Sequence, residues 1–340
     1  MDHLPLLTQI IAQELGGALV DAKDITSGYA GYVYVVRATV EGRPRTVCCK
    51  LTPLETPGNA WLAPVDVRVG GSIIDNLAGA YAVLSQAGIR IPELYASGRL
   101  EAGEPLAFQV MERLEGISIR EFVAYQEHER MEQLHELAGE TLGRLHAVVR
   151  AYDGLCDQPA PDPLGWKAAF YASLQNVLSR ASDRNAVIQR NAPKIERFVS
   201  RQESLWTDPA EFVLSHIDGL QAMARYADDG WTLTGLVDIE DHRFVDPRSA
   251  LAGYELSLHY EGRTVPAAFW RGYRRFKPVP ASYPALRNLF FLYDLLGWLA
   301  GCYENWRGPP EGRAPTLRHL QALILAAVRE GEHDGTMHSQ

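Results

Sequence analysis

Apolar and polar positions change period along the chain, and the changes divide it. Residues 4–15 gather their apolar side chains on one helical face and predict an amphipathic helix. In YVYVVRATVEGRPRTVCCKLTP the pattern alternates about a turn at Glu41–Pro44, and its Val and Tyr content predicts a β-hairpin. IIDNLAGAYAVLSQAG returns to helical spacing and closes at Gly88; IPELYASG and PLAFQVMERLEG predict two further short strands. From about Ile117 onward helical spacing dominates. MEQLHELAGETLGRLHAVV sets Leu134, Leu137, Leu142 and Leu145 on related faces, and WKAAFYASLQNVLSRA and the segments 285–305 and 316–330 also predict helices. Between them EFVLS and the runs on either side of DDG predict strands, with DDG as a hairpin turn. DQPAPDPLG (157–165) predicts a surface loop. The expected class is α+β: a small antiparallel-sheet domain over residues 1–111, then a larger, mostly helical domain over residues 112–340 with a hairpin inserted.

At 340 residues the chain can build one large or two modest cores. A net charge of −9 argues against nonspecific nucleic-acid binding, which needs a basic surface to displace counterions, and favours cationic ligands. Cys48, Cys49, Cys156 and Cys302 show no metal spacing, and the adjacent pair is poorly placed to bridge itself. MDHLPLLTQIIAQELG has neither a basic start nor a long apolar run, so no signal peptide is expected. LFFLYDLLGWLAG is too short to span a bilayer and carries Asp294. A soluble, cytoplasmic protein without membrane or nucleic-acid partners is expected.

Five features bear chemistry. SGYAGYVYVV places Gly28 and Gly31 in a turn before a strand, where glycine lets backbone amides approach phosphate; a plain hairpin turn needs the same residues. Lys50 ends the run TVCCKL on the third strand, a place from which a lysine can reach phosphates or simply stay solvated. QVMERLEG runs from a strand into irregular backbone that could meet an adenine edge. His216 and Asp218 come after EFVLS, so a carboxylate at a strand end can accept a hydroxyl proton. Asp238 comes after TLTGLV, a second strand-end carboxylate, suited to a hard cation.

The order of these features resembles the aminoglycoside phosphotransferase and choline kinase superfamily over nearly the full length. Its hallmark is H-G-D-x-x-x-x-N, a hairpin, a V-I-D-W-E-D-like strand, and D-P eight residues on. Here His216-Ile217-Asp218 stands for the first part, and LVDIEDHRFVDP (236–247) matches the second. GRLHAV and VMERLEG resemble the family's helix end and lobe junction. The resemblance implies a bilobal protein-kinase-like fold, ATP and Mg²⁺, and phosphoryl transfer to a hydroxyl of a small molecule such as an antibiotic, an aminocyclitol or another natural product. It makes Asp218, after His216, the catalytic base, Asp238 the metal ligand, and Lys50 the phosphate lysine beside Gly28 and Gly31. Main-chain groups of Glu112 and Leu114 hold adenine in this scheme.

Two positions depart from the pattern. Met223 stands where the family has its metal-binding Asn, and a thioether offers Mg²⁺ nothing. Glu240 is the nearest substitute, since positions i and i+2 share a face if the strand continues, whereas Asp241 would point away. The acid that pairs the lysine is also absent; Asp75, Glu55 and Asp66 are its candidate replacements. These changes keep a second reading open, a pseudokinase that binds a nucleotide or metabolite. For the acceptor, Asp241, Glu255 and Glu304 would suit amines. Tyr254, Tyr260, Phe291, Tyr293, Trp298, Tyr303 and Trp306 would suit a partly apolar compound or nucleoside if they line a pocket, and otherwise form core.

Overall fold

The computed structural model describes residues 3–25, 31–54, 76–102, 104–120, 122, 130–161, 164–227, 230–304, 306 and 310–337. Its contacts define two compact units, one from Met1–Asn59 and Arg90–Glu115, the other from Ala60–Ile89 and Gly116–Gln340.

The first unit is helix α1 (Leu4–Leu15) on a five-stranded antiparallel sheet. The strands are β1 (Gly17–Asp24), β2 (Tyr32–Val40), β3 (Arg43–Pro53), β4 (Leu94–Ala102) and β5 (Glu104–Glu112), in the order β1-β2-β3-β5-β4. Glu41 and Gly42 form the two-residue turn between β2 and β3, both with positive φ, which matches the twist of the strands it joins. Leu7, Ile10 and Ile11 of α1 pack on Val36, Ala38, Val47, Cys49, Leu51, Phe108 and Val110. Side chains alternate along a strand, so Val47, Cys49 and Leu51 face α1 and Lys50 faces the opposite way. Arg90 and the Glu93 amide both bond the Glu112 carboxylate and pin the end of β5.

The second unit holds helices α2 (Leu77–Gln86), α3 (Met131–His146), α4 (Trp166–Arg184), α5 (Ala186–Leu205), α6 (Pro247–Tyr260), α7 (Ala267–Arg274), α8 (Tyr283–Glu304) and α9 (Pro310–Met337). Its strands are β6 (Ile117–Ser118), β7 (Val149–Arg150), β8 (Gly154–Leu155), β9 (Phe212–His216), β10 (Ala222–Ala227), β11 (Gly230–Leu236) and β12 (His242–Val245). They form two small sheets, β11-β10-β6 and β7-β9-β12-β8. A single cut after residue 111 would assign α2 to the first unit; the contacts assign it to the second. The reason is close packing: a Cβ on Gly79 of α2 would lie 2.7 Å from the Asp157 amide nitrogen. Helices α3 and α7 approach as closely, with Gly139 against the Phe269 carbonyl and Gly272 against that of Glu136. Asp246 caps α6 through the Arg248 amide (2.8 Å) and forms a buried ion pair with the Arg248 side chain, so the D-P pair of the sequence motif is a helix start.

Among the described residues no helix is long and apolar enough to cross a membrane.

Candidate functional site

β9 is buried along its whole length between β7 and β12, and its last residue, His216, anchors the turn that carries Asp218. The chain reverses sharply there: the Gly219 amide donates to the His216 carbonyl at 3.1 Å. Gly219 has φ +83°, and a Cβ there would sit 3.1 Å from the Tyr254 backbone, so any other residue is strained there. His216 Nδ1 accepts the Asp218 amide proton at 3.0 Å, which places the ring proton on Nε2, 3.9 Å from the Asp241 carboxylate. The buried imidazole therefore holds the backbone of Asp218 and leaves its carboxylate partly accessible.

The second carboxylate is held differently. Asp238 comes after β11 in the left-handed region (φ 53°, ψ 52°), which Asp tolerates better than most residues. A short 3₁₀ turn, Ile239–Asp241, leads into β12. Asn76, fully buried at the head of α2, fastens this turn. Its Nδ2 donates to the carbonyls of Glu240 (2.8 Å) and His242 (2.7 Å), and its Oδ1 accepts the Cys156 amide proton (2.7 Å). The Cys156 thiol also donates to the His242 carbonyl at 3.3 Å. Burial lowers the His242 pKa to about 4, so the ring is neutral and its Nδ1 lies 3.2 Å from the Ile239 carbonyl, which it bonds.

A cavity opens beside Asp218 in the second unit. Its wall includes Trp166 and Phe170 of α4, His216 and Asp218, Arg243 of β12, and Tyr293, Asp294 and Trp298 of α8. Burial pushes the Asp294 carboxyl up to about pKa 8, and the charge of Asp218 adds to the shift. The acids expected from the sequence to serve amines are engaged elsewhere: Glu255 accepts from Tyr283 (2.5 Å) and Arg287 (3.1 Å), Glu304 pairs with Arg180, and Asp241 faces His216. Of the aromatic residues singled out, Tyr293 and Trp298 line the cavity, whereas Tyr254 is core, stacked on Phe269 at 4.3 Å.

In the first unit, Lys50 is buried and lies in register with Gln109 of β5 on the sheet face away from α1. Both polar atoms of Gln109 are buried and make no hydrogen bond among the described residues. Gly31 is demanded by packing, since a Cβ would lie 2.6 Å from the Leu51 carbonyl. The Glu112 side chain is taken by Arg90, and Leu114 lies beyond the β5 ladder, where its main-chain groups are outside the sheet. Gly28, Glu55, Asp66 and Asp75 lie outside the described residues.

The family model described as Phosphotransferase enzyme family matches residues 74–286, more than half of the chain. The chain belongs to the phosphotransferase enzyme family. No curated protein matches it in sequence. Among solved structures it is similar to a thermostable mutant of aminoglycoside phosphotransferase APH(4)-Ia in its apo form (TM-score 0.61, 16% identity, covering 95% of this chain and 99% of that one). It is also similar to amicoumacin kinase hAmiN in complex with AMP-PNP, Ca²⁺ and Ami (TM-score 0.61, 15% identity, 95% and 93%). The microcompartment-associated aminopropanol kinase is a third (TM-score 0.59, 14% identity, 98% and 98%). These likenesses establish the α+β, protein-kinase-like fold.

Met223 and Glu240 sit on different elements. Met223 is a strand residue of β10, paired in register with Gly235 and Ser118. Glu240 is buried on the 3₁₀ turn, so the expectation that it shares a strand face with Asp238 is corrected: the strand ends at Leu236 and the two residues adopt different geometry. Among the described residues no three His, Cys, Asp or Glu side chains gather as a metal site. The Asp238 carboxylate is a hard oxygen donor of the kind Mg²⁺ takes, an ion that keeps waters and phosphate oxygens and needs only one or two carboxylates. Asn76 and Asp294 are the residues sequence reasoning missed. An Asn before a helix reads as a cap, yet Asn76 makes no cap bond and reaches partners more than 160 positions away.

Proposed function

We propose that the protein transfers the γ-phosphoryl group of ATP to a hydroxyl group of a small molecule, with Asp218 as the base. The observation that carries this reading is an Asp218 carboxylate whose backbone is locked by His216 and which borders a cavity of the second unit. As the acceptor oxygen bonds to phosphorus and the bond to the leaving diphosphate oxygen breaks, the hydroxyl proton passes to the Asp218 carboxylate. His216 is a positioning residue in this scheme, because it bonds the Asp218 backbone. Lys50 takes phosphate oxygens, and main-chain groups of Glu112 and Leu114 take the adenine edge. Asp238 would hold Mg²⁺, with Glu240 as the second carboxylate; when bound, the ion neutralises charge on the phosphate oxygens. In this reading residues 1–111 are the nucleotide-binding part and residues 112–340 the catalytic and substrate-binding part.

A second reading, nucleotide binding without turnover, is favoured by Met223, which removes the oxygen ligand that the sequence hallmark supplies. An ATP-consumption screen over hydroxylated antibiotics and biosynthetic intermediates, with mass detection of phosphate adducts, separates the two. A new phosphomonoester supports transfer; tight Mg²⁺-dependent ATP binding with no adduct supports the pseudokinase.

A further inference from the structure

The wall of the cavity beside Asp218 bears on the class of acceptor, an inference that rests on the phosphotransfer reading above. Four aromatic side chains, Trp166, Phe170, Tyr293 and Trp298, line it. Apart from Asp218, Asp294 is the one carboxyl on this wall among the described residues, and it has no hydrogen-bond or ion-pair partner among them. A cationic residue, Arg243, lines the same cavity, so a second ammonium group gains nothing there. Glu255 and Glu304, which a polyamine would need, are spent on Arg287 and Arg180.

We infer that the cavity takes an alcohol with an apolar body and a single ammonium group, the ammonium against Asp294 and the hydroxyl toward Asp218, rather than a polycationic sugar. Aromatic faces suit both halves of such a molecule: they cover apolar surface, and their π-faces attract a cation. The carboxyl is paired only when the occupant arrives. Burial and the Asp218 charge keep a proton on Asp294 at neutral pH. Besides the two carboxyls, the titratable groups on the wall are His216, Arg243 and the Tyr293 phenol; α4 and α6 contribute none. A bound ammonium favours the carboxylate, so binding at pH 7 releases a proton.

The test is equilibrium binding to the full chain without nucleotide, using three probes: phenylethanolamine, the neutral styrene glycol of the same shape, and the polar diamine deoxystreptamine. Phenylethanolamine is expected to bind at least about tenfold more tightly than either of the others, a gap of about 1.4 kcal/mol. Calorimetry in buffers of different ionisation enthalpy should register close to one proton released per ligand. Asp294→Asn should erase the preference over the glycol and the proton release while the protein remains folded by its melting transition. The proton count on the wild type needs no variant. Tighter binding of deoxystreptamine, equal binding of amine and glycol, no binding of the amine at about 10 mM, or a preference that survives Asp294→Asn overturns the proposal. Because nucleotide is absent, an amine that binds as described but is never phosphorylated would count against the phosphotransfer reading alone.

Discussion

The turns that carry Asp218 and Asp238 are alike in sequence and unlike in construction. Each carboxylate comes after a short strand, β9 or β11, and the chain then returns toward β10 or β12. Asp218 is held from nearby: His216, two residues earlier, accepts its amide proton, and Gly219 closes the turn. Asp238 is held from afar: Asn76 and Cys156 clamp the carbonyls just beyond it, across more than 80 positions of chain. A locally built turn forms when its own few residues are right. A remotely built one depends on the helix that brings the clamp, so α2 and the Asp238 turn should stand or fall together.

Mutations can break this contrast. The largest effect expected is from Asp238→Ala, which should remove most of the Mg²⁺ dependence of nucleotide affinity while lowering stability only by the strain of alanine in the left-handed region, about 1 kcal/mol. A calorimetric titration with the same affinity at zero and saturating Mg²⁺ in wild type and variant would reject the metal role. Next comes Asn76→Ala, which strands two buried carbonyls and the Cys156 amide; each orphaned group costs roughly 1–3 kcal/mol. Asn76→Asp keeps the acceptor for Cys156 and loses both donors, so it should be no better. Both variants should lower stability and raise the Mg²⁺ concentration for half-maximal nucleotide binding, with Asp218 chemistry affected only through that change. An unaltered Mg²⁺ requirement after loss of stability would make Asn76 a folding residue alone.

A smaller effect is expected at the local turn. His216→Phe removes one hydrogen bond to the Asp218 backbone, worth about 1 kcal/mol. The turnover rate should fall about 5- to 10-fold at unchanged ATP affinity. A fall in ATP affinity instead would contradict a role confined to Asp218. A separate effect concerns the pH dependence of stability. Burial lowers His242 from 6.5 to about 4 in the folded protein, so folding favours its neutral form. The unfolded chain binds the extra proton between those values, and stability is full above pH 6.5 and drains as pH falls toward 4. Melting curves across that window should be flatter for His242→Gln than for wild type.

Legibility in the sequence divides along the same line. The turns at Asp218 and Asp238 are legible because each is a strand, a carboxylate and a few neighbours in one run of residues. Lys50 on the third strand is legible because the hairpin before it sets the alternation. The Asn76 clamp is not, since nothing near an Asn at a helix head signals carbonyl partners 164 and 166 positions on. Asp294 stands out in the sequence only as a charge interrupting an apolar run; its place beside Asp218 is created by the packing of α8. β1 lacks the alternation that would mark it, being half exposed along an edge. α5 carries Pro193 in its interior, a local breaker that the Asn185 cap and the buried Ile188, Ile195 and Phe198 override. The strand expected to join Asp238 and Glu240 fails because αL backbone at Asp238 ends the alternation on which a shared face depends.

The most direct test of the central claim is Asp218→Asn, assayed by mass-resolved phosphorylation of whichever acceptor the screen returns, beside ATP binding by calorimetry. The variant keeps the shape of the side chain and the backbone amide proton that His216 accepts, but its carboxamide cannot take the hydroxyl proton. Transfer should fall by about 10²- to 10⁴-fold with ATP affinity nearly intact. Phosphoryl transfer at the wild-type rate would contradict the account.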